Sequence, residues 1–153
     1  MSPKMQMLER MRANPPRVNV EEVKPRIAEL AAKHKISMVV LFGSQVSGRF
    51  HEESDIDIAV MPERPAKFDS MELWSDLAQT FHTDRIDIIN LKSSDPLLAW
   101  NVARGGKLLF APSSDDWNLF RIRAMKEYDD VRRFDKLRRR ALDMALRRWG
   151  VLK

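Results

Sequence analysis

Apolar side chains recur along the first 112 residues at two different spacings, one typical of helices and the other typical of strands. Intervals of three and four residues mark one face of a helix in three segments: 20–35, 70–81 and 95–104. Short runs rich in β-branched and aliphatic residues predict four strands: 36–42, 55–60, 85–91 and 107–111. The strand at 55–60 has one apolar face, formed by Ile56, Ile58 and Val60, and one face that carries Asp55 and Asp57.

Polar residues and one proline predict where the first of these helices begins. Asn19 is available as a cap, and Glu21 and Glu22 are favourable in a first helical turn. Because proline is tolerated only in the first turn, Pro25 predicts that the regular helix begins close to it.

The two ends of the chain depart from this central pattern. Residues 1–19 contain three prolines around one short amphipathic stretch, and we interpret them as a flexible N-terminal arm. Residues 113–153 predict one long helix or two, with an apolar stripe that packs on the core. The chain is therefore divided into the arm at 1–19, a core at 20–112 and a C-terminal helical segment at 113–153.

Positive charge is concentrated in the C-terminal helical segment. Residues 121–153 hold twelve Lys/Arg against five Asp/Glu, a net +7, whereas residues 1–120 hold fifteen against seventeen, a net −2. A basic surface of this kind binds nucleic acid, an acidic protein partner or the phosphates of a nucleotide. A solvated helix face is the structural interpretation of the same charges.

Composition narrows the classes of protein and of site. The chain has 153 residues and 44% hydrophobic residues, enough for one globular domain. It has no apolar run near 18 residues and no apolar block near its start, so we expect a cytoplasmic protein that does not span a membrane. With no cysteine, any metal site must use oxygen or histidine ligands. The three histidines lack metal-binding spacing and are interpreted as surface or loop residues: His34, His51 and His82.

One segment carries most of the chemical information. Gly43 and Ser44 follow a predicted strand, and ten residues later Asp55 and Asp57 flank a single isoleucine on the next strand. Glycine lets backbone amides approach a phosphate closely, and a serine hydroxyl adds a further donor. A phosphate-binding turn therefore faces two carboxylates that share one side of a strand.

These carboxylates suit divalent cations. Residues two apart on a strand lie about 7 Å apart at their Cα atoms, so Asp55 and Asp57 can converge on magnesium ions. Asp87 is expected to complete the metal shell or to accept a proton from an attacking hydroxyl, with Asp84 as the alternative. Without cations, three clustered carboxylates would raise one another's pKa. A calcium-like loop or an ordinary acidic strand end is the competing interpretation.

Two stretches resemble a known family. LFGSQVSGRFHEESDIDIAV is similar to minimal nucleotidyltransferases of the polymerase-β-like superfamily, whose hallmark is Gly-Ser, about ten residues, then Asp-x-Asp. RIDIINLKSSDPLLAWNVARGGKLLF resembles the continuation found in MntA-type antitoxins. Residues 20–110 carry the resemblance, whereas the C-terminal helical segment resembles the family less specifically.

The resemblance implies an α/β (α+β) fold, a small mixed sheet flanked by helices, with a C-terminal helical extension. It implies ATP as nucleotide donor and Mg²⁺ as cofactor, and it carries roles over to five residues. The metal and catalytic residues would be Asp55, Asp57 and Asp87, and the phosphate-binding residues Gly43 and Ser44. Many relatives read Gly-Ser-Arg-Ala-Arg-Gly, but this chain has no arginine at either position. Arg49 is the residue that would compensate.

MntA-type antitoxins pair with a HEPN-domain ribonuclease toxin. The resemblance therefore implies an antitoxin-like protein adenylyltransferase that transfers AMP from ATP to a tyrosine of its toxin. One alternative is an antitoxin that neutralises its partner by binding alone, which the missing turn arginines favour and the three aspartates oppose. Another is nucleotidyl transfer to RNA or to a small molecule, for which the basic C-terminal segment is the only indication.

Overall fold

The computed structural model describes residues 2–12, 17–48 and 55–152. Six helices lie in these ranges: α1 (Pro3–Arg12), α2 (Val20–His34), α3 (Ser44–Ser47), α4 (Ser70–Phe81), α5 (Pro96–Gly105) and α6 (Ser114–Arg148). Four strands lie between them: β1 (Ile36–Phe42), β2 (Ile56–Pro62), β3 (Ile86–Asn90) and β4 (Lys107–Phe110). A single 3₁₀ turn, Pro65–Lys67, connects β2 to α4.

The four strands form one mixed sheet in the order β3-β2-β1-β4. Strand β1 pairs antiparallel with both β2 and β4, whereas β2 and β3 are parallel. The small mixed sheet flanked by helices is confirmed, and all four predicted strands are present. In the described part of the chain, no helix is both long and apolar enough to cross a membrane.

Helices α2 and α4 cover one face of the sheet. Their apolar stripes supply Ile27, Leu30, Leu73 and Leu77, each at most 2% exposed, to the main hydrophobic core. The even-numbered residues of β2 meet them: Ile56, Ile58 and Val60 are fully buried. The alternation in β2 is therefore confirmed as one apolar face against this core.

Helix α5 and the first half of α6 cover the opposite face. Val40 of β1, Ala59 of β2 and Val102 of α5 are fully buried there, with Trp117 and Phe120 of α6 packed against them. Farther along α6, Tyr128 stacks on Trp100 of α5 with ring centroids 5.7 Å apart. Asp57 of β2 belongs to this second face, because it alternates with the buried apolar residues of the first.

Helix α2 corrects one prediction. It begins at Val20, one turn before Pro25, so the proline lies inside the helix. The side chain of Asn19 accepts a hydrogen bond from the Glu22 amide at 3.4 Å and fixes this start. Proline removes the amide that would bond to the carbonyl of Glu21, and both residues are exposed, so water can satisfy that carbonyl.

The two ends of the chain also differ from expectation. The segment interpreted as an arm contains helix α1, whose described side chains are exposed. The C-terminal segment is one continuous helix of 35 residues, and its packing on the core does not continue along its length. Phe134, Leu142 and Trp149 are 69%, 57% and 74% exposed. The division into three regions stays a prediction.

Candidate active site

Asp57 and Asp87 are direct neighbours in the sheet. They are paired in the parallel register of β2 and β3, with Ile56 opposite Ile86 just before them. Residues paired in this way project to the same face, and adjacent strands lie about 4.8 Å apart. The sheet register therefore brings together two of the three predicted aspartates on the face covered by α5 and α6.

Asp55 lies one residue before β2 and forms an ion pair. The Nε atom of Arg85 donates a hydrogen bond to its Oδ1 atom at 3.1 Å, and the two side chains are 29% and 55% exposed. The backbone joins the same two segments, because the amide of Ile56 donates to the carbonyl of Arg85 at 2.9 Å. Sequence reasoning did not identify Arg85, although its position one residue before β3 matches that of Asp55 before β2.

Gly43 is required by two features of the turn after β1. Its φ of 75° lies in the left-handed region, which glycine adopts without a steric penalty. A Cβ atom at this position would also overlap the carboxylate of Asp57. The register explains the contact, because Asp57 pairs across the sheet with Phe42, the residue before the glycine. Gly43 thus lies directly against the side chain of Asp57.

The electrostatics of Asp57 are those of a carboxylate with too little positive charge nearby. Partial burial, together with the negative charges of Asp87 and Asp55, raises its pKa from 3.8 to about 6. Such a group favours either a proton or a cation. Divalent metal ions bind carboxylate oxygens by preference, so the chemistry of the three aspartates fits magnesium.

The aspartates are gathered at one end of the sheet but do not form a ready-made cage. Among the described residues, no group of three acidic, histidine or cysteine side chains converges closely enough to hold a metal ion. Asp55 is directed to the guanidinium of Arg85, which supplies the positive charge that a cation would otherwise supply. This ion pair occupies the Oδ1 atom of Asp55 and involves neither Asp57 nor Asp87.

Ser44 lies beside this cluster at the start of the helical turn α3. Together with Phe42, Gly43 and Ser47, it lines one side of an open pocket of about 630 Å³. The C-terminal part of α5 lines the other side, through Leu98, Asn101, Arg104 and Gly105. The pocket therefore begins at the glycine that touches Asp57 and extends towards α5. Arg49 and His51 lie outside the described residues.

Gln45 has a structural position that the sequence did not reveal. It is 5% exposed, and its Oε1 atom accepts a hydrogen bond at 3.0 Å from the amide of Val18, just before α2. This residue stands where many relatives have the first arginine of the turn. Its side chain is directed into the protein, so position 45 contributes no charge to the pocket.

The sequence also matches a known family over most of the region that forms the sheet. Residues 25–115 match the family described as Polymerase beta, Nucleotidyltransferase. The chain belongs to this nucleotidyltransferase family. The match spans all four strands and helix α5, and it includes the Gly-Ser turn and the three aspartates.

Two curated relatives within the nucleotidyltransferase family are named protein adenylyltransferase MntA. The protein from Aphanizomenon flos-aquae is 29% identical over 127 residues, which cover 76% of this chain and 84% of the relative. The protein from Shewanella oneidensis is 33% identical over 98 residues, covering 63% of this chain and 69% of the relative. The resemblance to MntA-type proteins is confirmed.

Solved structures extend the likeness to the fold. A chain from the crystal structure of a toxin–antitoxin with AMP-PNP has a TM-score of 0.62 and 28% identity, covering 80% of this chain and 98% of that chain. A chain from the complex of tri-AMPylated Shewanella oneidensis HEPN toxin with MNT antitoxin has a TM-score of 0.59 and 26% identity. It covers 84% of this chain and 99% of that chain. The predicted nucleotidyltransferase fold is confirmed.

Proposed function

We propose that this protein is an antitoxin that transfers AMP from ATP to a tyrosine hydroxyl of a cognate HEPN-domain toxin. The observation that carries the proposal is the in-register pair of Asp57 and Asp87, packed against the glycine of the Gly-Ser turn. Membership of the nucleotidyltransferase family and the MntA relatives support the reaction class. The reaction is proposed for the cytoplasm, which supplies ATP.

The transfer is a substitution at the α-phosphorus of ATP. The tyrosine oxygen of the partner forms a bond to that phosphorus, and the bond from it to the α–β bridging oxygen breaks. Pyrophosphate leaves with the electron pair of the broken bond. Asp87 is exposed at the sheet end and accepts the tyrosine proton as a general base. Ser44 and the backbone of the Gly43 turn orient the phosphates.

Magnesium is the proposed cofactor, held by Asp55, Asp57 and Asp87. Bound there, it would neutralise the triphosphate and the leaving pyrophosphate and would activate the attacking oxygen. The raised pKa of Asp57 supports this assignment, because a half-buried carboxylate with two acidic neighbours is stabilised by a cation.

The test is an AMP-transfer assay on the purified protein with its cognate HEPN-domain partner, ATP and Mg²⁺. Intact-mass spectrometry should show AMP adducts on the partner, and peptide mapping should place them on tyrosine. Label in the α-phosphate of ATP should appear in the adduct, whereas label in the γ-phosphate should not. Asp57→Asn should abolish the adduct while the two proteins still co-elute on a sizing column.

A matched control separates catalysis from general loss of negative charge. Asp84 is exposed just before β3 and belongs to neither the strand nor the pair, so Asp84→Asn should transfer AMP at the wild-type rate. The proposal is wrong if the wild-type protein leaves the partner unmodified, or if Asp57→Asn modifies it as fast as the wild type does.

Binding without transfer is the second candidate, and the distal half of α6 favours it. The helix face that packs on α5 near the N-terminus of α6 continues through Val131, Phe134 and Leu142. These three side chains are 49%, 69% and 57% exposed. An apolar stripe of this kind marks a protein interaction surface. If Asp57→Asn still neutralises the toxin in cells while Phe134→Ser does not, binding alone accounts for the function.

A further inference from the structure

We infer that Arg104 and Asn101, on helix α5, bind the β- and γ-phosphates of the nucleotide, and that they replace the positive charge that the Gly-Ser turn lacks. This inference rests on the proposed function and assigns a substrate-binding role to residues outside the sequence motif. Four features of the described residues support it: the pocket, the charge balance, the free side chains and the way in which α5 ends.

The pocket joins α5 to the turn. Arg104 and Asn101 line one wall of the 630 Å³ space, and Gly43, Ser44 and Ser47 line the opposite wall. Its volume is within the range of ligand sites, roughly 300 to 1,000 Å³. Gly43 also contacts the carboxylate of Asp57, so a phosphate chain that starts at the aspartates would extend along the turn into this space.

The Gly-Ser turn itself supplies no cationic side chain. Residues 43–48 contain no lysine or arginine, and the adjacent cluster consists of Asp55, Asp57 and Asp87. A triphosphate adds several more negative charges, and positive side chains stabilise such groups through charge-assisted hydrogen bonds. In the pocket wall described above, Arg104 is the cationic side chain.

Arg104 and Asn101 are both available to a ligand. Over the described ranges, neither side chain has a hydrogen bond or ion-pair partner, although Arg104 is exposed and Asn101 half-buried. Arginine presents up to five N–H donors, and the asparagine amide adds two more. A wall with unused donors that faces a serine-lined turn has the chemistry of a phosphate site.

The end of α5 does not need Arg104 for its own stability. Arg121 of α6 donates from Nε to the carbonyl of Ala103 at 3.2 Å, and the amide of Gly106 donates to the carbonyl of Val102 at 2.8 Å. These bonds satisfy carbonyl groups that a C-terminal arginine often satisfies. Replacing Arg104 should therefore affect the ligand more than the fold.

The experiment measures binding of ATP and of AMP to the full-length protein in Mg²⁺ by calorimetry. Arg104→Gln should weaken ATP binding about tenfold or more, as expected for loss of charge-assisted hydrogen bonds, and should change AMP binding less than twofold. Arg104→Lys keeps the charge and should retain most of the preference for ATP. In the transfer assay, Arg104→Gln should raise the KM for ATP more than it lowers kcat.

Arg26→Gln is the matched control, because Arg26 is an exposed arginine on α2, which covers the opposite face of the sheet. It should bind ATP as the wild type does. If Arg104→Gln keeps wild-type melting temperature and wild-type ATP affinity, the inference is wrong while the proposed function stands. Equal weakening of ATP and AMP, or weaker binding of the partner protein alone, would also overturn it. A wild-type protein that binds no ATP would overturn both.

Discussion

Asp57 and Asp76 are two aspartates of this protein whose neighbouring side chains differ in charge. Asp57 lies among other carboxylates, and burial together with Asp87 and Asp55 raises its pKa to about 6. Asp76 lies on α4 where this helix meets α2, and hydrogen bonds from Lys33 and His34 lower its pKa. One carboxylate lacks compensating charge, whereas the other has two partners.

The contacts of Asp76 explain why it is paired. Its Oδ2 atom lies 2.7 Å from Lys33 Nζ and 2.6 Å from His34 Nε2, and its side chain is 14% exposed. A charge near the protein interior requires such partners, since an unpaired one is destabilising. Within the described part of the chain, Asp76 has these two partners, whereas Asp57 has no hydrogen-bond or ion-pair partner. Uncompensated charge of this kind is typical of functional sites, where a substrate or cofactor supplies the missing partner.

The largest effect that tests this comparison is expected at Asp87. Asp87→Asn removes the proposed proton acceptor and one negative charge next to Asp57, and general acid–base catalysis contributes typically 10²- to 10⁴-fold. We therefore expect the single-turnover rate of AMP transfer to fall by about 10²-fold or more. Asp84→Asn removes the same charge three residues away and should transfer at the wild-type rate. Similar rates for the two variants would show that the position of the carboxylate in the sheet does not affect AMP transfer.

The positions of the aspartates in the sheet could be predicted in part from the sequence, because the alternation of residues along a strand is local. The alternation of apolar and acidic residues places Asp55 and Asp57 on one face of a strand, and the same rule places Asp87 on a face of its own strand. The pairing of β2 with β3 depends on the order of the strands in the sheet, and the periodicity of apolar residues does not predict that order. The resemblance to a family supplied that step, and the structure then gave the register of Asp57 with Asp87.

Predictions of burial from the sequence are wrong where tertiary contacts determine which side chains are covered. The interpretation of His34 as a surface or loop residue is wrong, because its side chain is 4% exposed and bonded to Asp76. The partner is 42 residues away in the chain, so no local pattern contains it. The apolar residues of distal α6 have the same spacing as the packed ones, and spacing cannot reveal that the structure leaves Phe134 exposed.

The next largest effect is expected on stability, at Asp76. Asp76→Ala keeps a good helix former on α4 but leaves the buried imidazole of His34 without its partner. An unsatisfied buried polar group costs about 1 to 3 kcal/mol, so we expect a loss of that size in the free energy of unfolding by urea. AMP transfer at a temperature where the variant is folded should be unchanged.

The stability lost in Asp76→Ala should depend on pH. The pKa of Asp76 is lowered in the folded protein, so its contribution is present above the unfolded value of 3.8 and is lost as pH falls through the folded value. The difference between wild type and Asp76→Ala should therefore be larger at pH 7 than at the lowest pH where both proteins fold. A difference that grows on acidification would contradict the pairing.

Asp57→Asn should have the opposite effect on stability in metal-free protein. The folded state keeps the Asp57 proton up to about pH 6, whereas the unfolded chain releases it near 3.8. Wild-type stability therefore decreases as pH rises through this interval, and asparagine removes the decrease. With solvent screening of this partly exposed group, we expect the variant to be more stable by roughly 1 kcal/mol at pH 7.5.

Thermal melting in EDTA at pH 4.5 and 7.5 measures this difference, which should be larger at the higher pH. Mg²⁺ should raise the melting temperature of the wild type, because a ligand of the folded state stabilises it, and should raise that of Asp57→Asn less. If Asp57→Asn melts below the wild type at pH 7.5 in EDTA, the carboxylate is compensated by contacts other than a metal.

The smallest effect is expected at Glu72. This residue lies near Lys33 but is not hydrogen-bonded to it, so it tests whether proximity alone is enough to stabilise the fold. Its Oε1 atom lies 3.9 Å from the same Lys33 Nζ that bonds Asp76, but the Lys33 and Glu72 side chains are 52% and 57% exposed. Exposed ion pairs contribute about 0 to 1 kcal/mol, so Glu72→Gln should change the free energy of unfolding by less than about 0.5 kcal/mol. A loss as large as that of Asp76→Ala would mean that the whole α2–α4 charge cluster acts as one unit, and that burial of His34 is not what makes Asp76 important.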